Sequence, residues 1–400
     1  MIIILLFSQE VYLRLTDYSL GKTKIVIDDF NILSKKEEIF KERELIQMII
    51  MQDLEYSLYF EVFRDTIFLF YAKDKSSIIL QGDLTDNEIK IYLRDFFSKG
   101  LIFEKRYIKG DLRETSHRIS DDVIYTITGE KGISTTKIVF SYKKNRGKEL
   151  GIIDYDGWNF RGLTDNGNLN LFPEWDRFGK YILFSSYSID KLELNLYDLT
   201  TEKINNLFSY TGLNYSPSLS PDGENICLTM TKDGNAELYL YNIKNNKLLR
   251  LTYNNAIDCS PSFSPNGREI AFVSDRSGTP QIYIMDIDGS NTRRLTFSGD
   301  YNTSPAWSPR GNLIAYVSRE KDNSQQIYIT DPNNFYPLKL TYIGNNEEPS
   351  FSPDGLHIVF ISDRDGKYEL WTMNWNGTRQ RKLFDKYEVF SPSWSPFFKY

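Results

Sequence analysis

Two cysteines and two histidines are the whole stock of soft metal ligands and neutral-pH proton carriers in this 400-residue chain. A Cys/His zinc site needs four ligands, so it would have to use Cys227, Cys259, His117 and His357 together, and they show no ligand spacing. The same scarcity excludes a disulfide-stapled scaffold. Neither histidine shows a sequence partner for acid–base work. The serine-hydrolase elbow G-x-S-x-G is absent. Asp-x-Asp-Gly occurs at Asp154 and Asp286. A calcium-binding EF-hand loop needs its glycine at position six and a glutamate at twelve, so a hairpin turn is the better reading here. No catalytic residue, cofactor or metal ligand is assigned.

What remains is binding chemistry, and the elements that position it follow from composition and repeats. At 26% charged and 40% hydrophobic residues the chain is globular, and its length suits two or three domains. With 48 basic and 54 acidic residues, a net charge of −6, it is not built to coat nucleic acid. Nothing approaches the ~20 apolar residues of a membrane-spanning helix.

Pro217-Ser-Leu-Ser-Pro-Asp-Gly223 recurs from Pro261, Pro305 and Pro349, with a degenerate copy at Pro173 and a last one at Pro392. The Pro-to-Pro steps are 44, 44, 44, 44 and 43 residues. Each period alternates as short strands separated by Gly/Pro/Asp turns, four per period, which is the pattern of a β-propeller blade. Labelled a to d from the axis outward, strand a starts at each repeat proline. Strand b starts at Ile138, Ile182, Ile226, Ile270, Ile314 and Ile358. There are six of each strand, but the first unit lacks strand a and the chain ends on a spare one at Ser393-Trp-Ser395. The expected fold is therefore a two-domain chain: a small N-terminal α+β domain, then a six-bladed propeller closed by its C-terminal strand. The expected boundaries are a partial signal peptide at 1–9, the α+β domain at 10–130 and the propeller at 131–400. In the first domain, a strand at Lys24–Ile27, a helix over 35–56, three strands over 77–109 and a helix from Asp111 to Thr128 are expected, the last stopped by Gly129.

The blade consensus P-x-W/F-S-P-D/N-G-x-x-I-A-F-V-S-D-R resembles the TolB family, the periplasmic propeller of the Tol–Pal system. Val11-Tyr-Leu-Arg-Leu15, Ser116-His-Arg-Ile-Ser-Asp-Asp-Val-Ile-Tyr125 with Thr128-Gly-Glu-Lys-Gly132, Asp154-Tyr-Asp-Gly157 and the terminal Pro-x-Trp-Ser-Pro resemble further family segments. The resemblance implies a non-enzymatic, monomeric periplasmic scaffold without an integral membrane segment. It implies binding of the lipoprotein Pal through the propeller and of TolA through Val11, Tyr12, Leu13 and Arg14. It also implies support of outer-membrane integrity and of constriction at division, with bacteriocins or other outer-membrane proteins as further partners. A propeller-gated hydrolase or peptidase accessory protein and a cytoplasmic propeller scaffold are the alternatives.

Loops b–c and d–a share one face of the disc. Three residues before each repeat proline stand Asn170, Asn214, Asp258, Asn302 and Asn346, with Val389 in the sixth unit. Placed at the channel mouth, these side chains could hydrogen-bond an inserted peptide of Pal or simply make the d–a turn, and the two roles are compatible. The aligned b–c turns carry Lys144, Lys232, Arg276 and Arg364, with Ser188 and Glu320 between them. Lys232, Arg276 and Arg364 form a basic rim, read either as pairing with acidic groups on Pal or as solvated hairpin charge. Cys227 aligns with apolar residues of strand b and is expected in the core; Cys259 is expected in a d–a loop.

Overall fold

The computed structural model describes residues 21–64, 77–188, 191–208, 210 and 212–398. The leader at 1–9 and the segment Val11–Arg14 lie outside the described residues. The chain divides between Thr135 and Thr136 into two compact units.

The first unit contains β1 (Thr23–Ile27), β2 (Asn31–Ile32), α1 (Glu38–Tyr56), β3 (Phe60–Phe63), β4 (Ser77–Leu84), β5 (Glu88–Asp95), β6 (Leu101–Ile108) and α2 (Leu112–Thr128). Its sheet runs β3-β1-β4-β5-β6, with β2 paired to β4. Strand β1 pairs in parallel with both β3 and β4. A parallel neighbour requires a crossover, and α1 supplies it between β1 and β3. The short strands β2 and β3 are not expected from the sequence, because two to four residues carry too little alternation to read. On β5 the alternation is complete: Ile89, Ile91 and Leu93 point into the core. They pack with Ile46, Ile50 and Leu54 of α1 and with Ile119 and Val123 of α2. Truncating Ile50, fully buried there, would cost about 2–5 kcal/mol.

Helix α2 is bounded as its sequence requires. Asp111, in an extended conformation, accepts from the Glu114 amide at 2.9 Å, and Gly129 ends the helix at φ 74°. His117 on α2, partnerless in the sequence, lies with its Nδ1 2.8 Å from Asp53 Oδ2 on α1, both buried. One turn further, Asp121 accepts from the Ser134 and Thr135 amides and the Thr135 hydroxyl, tying the segment that follows the helix back onto it. Gly132 permits that approach, since a Cβ there would stand 2.1 Å from Asp121 Oδ1.

The second unit is a propeller. Four separate four-stranded sheets and one eight-stranded sheet make it up. The large sheet is two four-stranded blades joined by a single Leu169–Lys148 pairing, so there are six blades among the described residues. One of its halves comprises Lys137–Lys144, Gly147–Asp154, Arg161–Gly162 and, as inner strand, the C-terminal Val389–Trp394. Val389 pairs with Tyr142 and Trp394 with Ile138, so the chain end closes the ring and removes a free edge. Trp394 Nε1 also donates to Thr136 Oγ1 at 2.9 Å, and Lys137 N to Ser395 Oγ at 3.0 Å.

The inner strands start earlier than expected. They run Leu169–Trp175, Asn214–Leu219, Asp258–Phe263, Asn302–Trp307, Asn346–Phe351 and Val389–Trp394, so the repeat proline sits mid-strand. It is tolerated because the pairing shifts register across it in every blade, and a bulge needs no ladder donor there. The residue before each proline (Phe172, Ser216, Ser260, Ser304, Glu348, Ser391) has φ between 47° and 54°. Six side chains are thus held in the left-handed region, a costly backbone that only a surrounding fold sustains. Cys259 consequently lies in an inner strand rather than a loop; Cys227 is core, and both are free thiols.

Candidate functional site

The inner strands have two ends with different chemistry. At one end the repeat Ser-Pro-Asp/Asn/Arg-Gly makes the a–b turn. The glycine amide returns to the serine carbonyl at 2.8–2.9 Å at Gly223, Gly267, Gly311 and Gly355. A cavity of about 520 Å³ opens along this half of the strands, lined from the pre-proline residues to the turn prolines. Its floor and walls are chiefly serines and prolines, with Trp175, Trp307 and Trp394. Two carboxylates stand out, and both hold the closing strand. Glu174 accepts from Ser393 Oγ at 3.0 Å, and Glu348 from the Ser391 amide at 2.6 Å and hydroxyl at 3.1 Å. Burial pushes Glu174 up to about 7 and raises Glu348 as well.

At the other end lie the d–a loops. Asn170, Asn214, Asp258, Asn302 and Asn346 are here, each with no exposed surface. Each of Asn214, Asp258, Asn302 and Asn346 is the first residue of an inner strand, paired to strand b. The asparagine amides bond within the fold, and the Asp258 carboxylate accepts from Asn254 Nδ2 at 2.6 Å. Asn302 Nδ2 donates to Gln281 Oε1 and Ser298 O, and Asn346 Nδ2 to Gln326 Oε1 and Ile343 O. Asn214 Nδ2 donates to Leu192 O, and Asn170 Nδ2 to Glu149 Oε2. The threonine ending strand d completes the latch. Thr296 Oγ1 accepts from the Ile282 amide at 2.9 Å and donates to Gln281 at 2.7 Å. Thr164 does the same with Leu150 and Glu149. As folded, these five side chains therefore fix the loops of this face and offer an incoming peptide no surface of their own.

The basic rim and the Asn/Asp ring, separate sets in the sequence, are partners in the structure. Arg276 Nη2 donates to Asp258 Oδ2 at 2.8 Å, and Arg364 Nη2 to Asn346 Oδ1 at 2.7 Å. Both guanidiniums also stack on their own blades, Arg276 over Tyr283 at 5.2 Å and Arg364 over Trp371 at 4.3 Å. Lys232 lies over Tyr239 and pairs with Asp233 at 3.1 Å. Ser-Asp-Arg, in which strand b ends at the serine and the turn opens at the aspartate, is the signal that could have linked Arg276 and Arg364 to the neighbouring loop.

The exposed residues of this face are others. Leu213, Tyr253, Ile257, Phe297, Tyr342 and Ile343, all in d–a loops, are 47–71% exposed. Asp154 and Asp286 sit at the opposite end and accept from the Gly157 and Gly289 amides at 2.9 Å, as hairpin turns do. Among the described residues no helix is long and apolar enough to cross a membrane.

Comparison with known proteins agrees with this architecture. The chain is 32% identical over 233 residues to the Tol-Pal system protein TolB of Desulfosudis oleivorans, an alignment covering 52% of each. It is 38% identical over 108 residues to the Tol-Pal system protein TolB of Geobacter sulfurreducens, covering 26% of this chain and 24% of that one. The chain thus spans about half or less of the length of these curated relatives. The crystal structure of TolB from Acinetobacter baumannii superposes with a TM-score of 0.81 at 26% identity, over 94% of this chain and 97% of that one. The family model described as the TolB beta propeller domain matches residues 124–398, well over half of the sequence, and the chain belongs to that family.

Proposed function

We propose that this chain is the TolB component of a Tol–Pal system, a non-enzymatic, monomeric scaffold of the periplasm. In this reading it binds the lipoprotein Pal through the loop face of the propeller and TolA through Val11, Tyr12, Leu13 and Arg14, and supports outer-membrane integrity and constriction at division. The observation that carries it is the loop face itself: buried Asn/Asp latches hold five of its loops from below while large apolar side chains project from above. A surface so ordered before contact loses little entropy on binding, which suits protein–protein recognition. In this role Asn170, Asn214, Asp258, Asn302 and Asn346 position the loops, and Lys232, Arg276 and Arg364 border the contact.

Titration of the full chain with the lipid-free Pal domain of the same organism tests the reading. A saturable 1:1 complex with a Kd of about 1 µM or below is expected; no heat and no co-elution up to ~100 µM would overturn it. Deleting Glu10 to Thr16 should abolish TolA binding and leave Pal binding intact. Fractionation of native cells, with N-terminal sequencing of the recovered protein, tests the periplasmic assignment.

A further inference from the structure

With the blade closed by Val389–Trp394 counted as the first, blades 3, 4 and 5 have the inner strands Asn214–Leu219, Asp258–Phe263 and Asn302–Trp307, and the d–a loops that end them repeat one pairing, a cation three residues before an aromatic ring. Arg250 lies over Tyr253 at 4.8 Å, Arg294 over Phe297 at 5.2 Å and Lys339 over Tyr342 at 5.2 Å. The three rings are alike in exposure, but the three cations differ in charge balance. Arg250 donates to Glu237 at 2.9 Å, and Lys339 stands 3.1 Å from Glu320. Arg294 meets no carboxylate among the described residues; its Nε donates to the Thr296 carbonyl at 2.5 Å. The sequence shows why. The first residue of strand c, Glu237 in blade 3, is Gln281 in blade 4.

A second guanidinium stands at the same loop. Arg319 is exposed, lies over the Tyr301 ring at 4.6 Å, and likewise meets no carboxylate among the described residues. Its amide donates to Tyr301 O at 2.9 Å, which anchors the end of the strand that carries it, Ile314–Arg319, to the loop. The loop is rigid in its own right: Asn302 holds Gln281 and Ser298, and Gln281 Nε2 donates to Gly299 O at 3.1 Å. In a protein with a net charge of −6, two arginines that meet no carboxylate among the described residues stand at one pinned loop, Arg294 over the 66% exposed Phe297 and Arg319 over Tyr301.

We infer that this patch between blades 4 and 5 is the docking point for an acidic, apolar-tipped loop of the protein partner. Two partner carboxylates pair with Arg294 and Arg319, and the apolar tip covers Phe297. Arginine and aromatic side chains are the residue types that concentrate binding energy at protein interfaces, and guanidinium–carboxylate pairs add orientation. The inference rests on the reading of the propeller as Pal-binding and assigns that partner's contact chemistry.

The test is calorimetric titration of the full chain with lipid-free Pal domain at two salt concentrations. The variants are Phe297→Ala, Arg294→Gln with Arg319→Gln, and Arg294→Lys. Phe297 and Arg319 are exposed and Arg294 is half-buried, so melting temperatures within about 2 °C of the wild type are expected. Phe297→Ala should weaken binding about tenfold. The double arginine variant should weaken it at least tenfold and flatten the salt dependence. Arg294→Lys, which keeps the charge but not the planar fork, should fall between. Wild-type binding with all variants within twofold would overturn the patch and leave the function standing. No wild-type binding would overturn the function itself. A wild-type dimer that Phe297→Ala dissociates would show a self-interface and overturn the inference.

Discussion

The two ends of the inner strands are built from the same repeat yet invert its logic. At the a–b end the repeated residues are the surface: Ser-Pro-Asp-Gly turns, serines and prolines line the cavity. At the d–a end the repeated residues are hidden. The Asn/Asp position, the strand-d threonine and the strand-c Gln/Glu are bonded to one another below the loops. What reaches solvent there is the aromatic residue after the strand-d threonine in three blades, Tyr253, Phe297 and Tyr342, and residues that vary between blades, such as Leu213, Ile257 and Ile343. Regular repetition at one end makes a uniform funnel, and at the other it makes a rigid base on which each blade carries its own contact residue.

Both ends depend on the closing strand, so its removal has the largest effect. Deleting residues 389–400 strips the partner from Lys137–Lys144 and the bonds of Glu174, Glu348 and Thr136. The expected outcome by calorimetry is loss of a single cooperative transition, or a fall in Tm of more than ~10 °C. A truncated chain that melts like the full one would show that the six blades hold without a closed ring.

The next effect separates buried from solvated charge on the loop face. Arg276→Gln leaves Asp258, which has no exposed surface, without its cation, and should cost about 2–3 kcal/mol by denaturant unfolding. Lys232→Gln, removing an exposed pair with Asp233, should change stability by less than ~0.5 kcal/mol. Equal effects would mean that the two rim positions are equivalent, as their alignment alone suggests.

A smaller effect separates latch from contact on one loop. Asn302→Ala removes two hydrogen bonds and should cost about 1–2 kcal/mol. Phe297→Ala, five residues earlier in the chain and exposed, should leave stability within ~0.5 kcal/mol.

Much of this was legible in the sequence, for a physical reason. Turn chemistry is local, so the Pro-to-Pro period, read with the six strand b starts, counts the blades and exposes the spare strand at Ser393. The capped helix ending at Gly129 is legible for the same cause. Non-local pairing is not. The bulge at each repeat proline moves the start of the inner strand back by three or four residues, which turns Asn302 and its counterparts from loop residues into buried strand residues. Arg276 meets Asp258 across 18 positions, and His117 meets Asp53 across 64. Spacing within one period cannot show that two aligned sets are each other's partners.

The cavity end has its own departure from symmetry, and titration can isolate it. Elsewhere the residues flanking the repeat prolines are mostly serines, whereas Glu174 and Glu348 stand on either side of the closing strand. Burial raises Glu174 to about 7 from an ordinary 4.5, so the folded chain holds this proton more tightly than the unfolded chain. Its contribution to stability is complete below about pH 4.5 and is lost as the pH rises through 7. Glutamine cannot ionise but can still accept from Ser393. Glu174→Gln should therefore match the wild type at pH 4.5 and exceed it at pH 8. The gain should be on the order of 1 kcal/mol, a few degrees in Tm, reduced from the full shift because water reaches the cavity. Wild-type and variant melting curves that stay parallel from pH 4.5 to 8 would show that Glu174 is solvated like a surface carboxylate, and that the two ends differ in shape but not in how they hold charge.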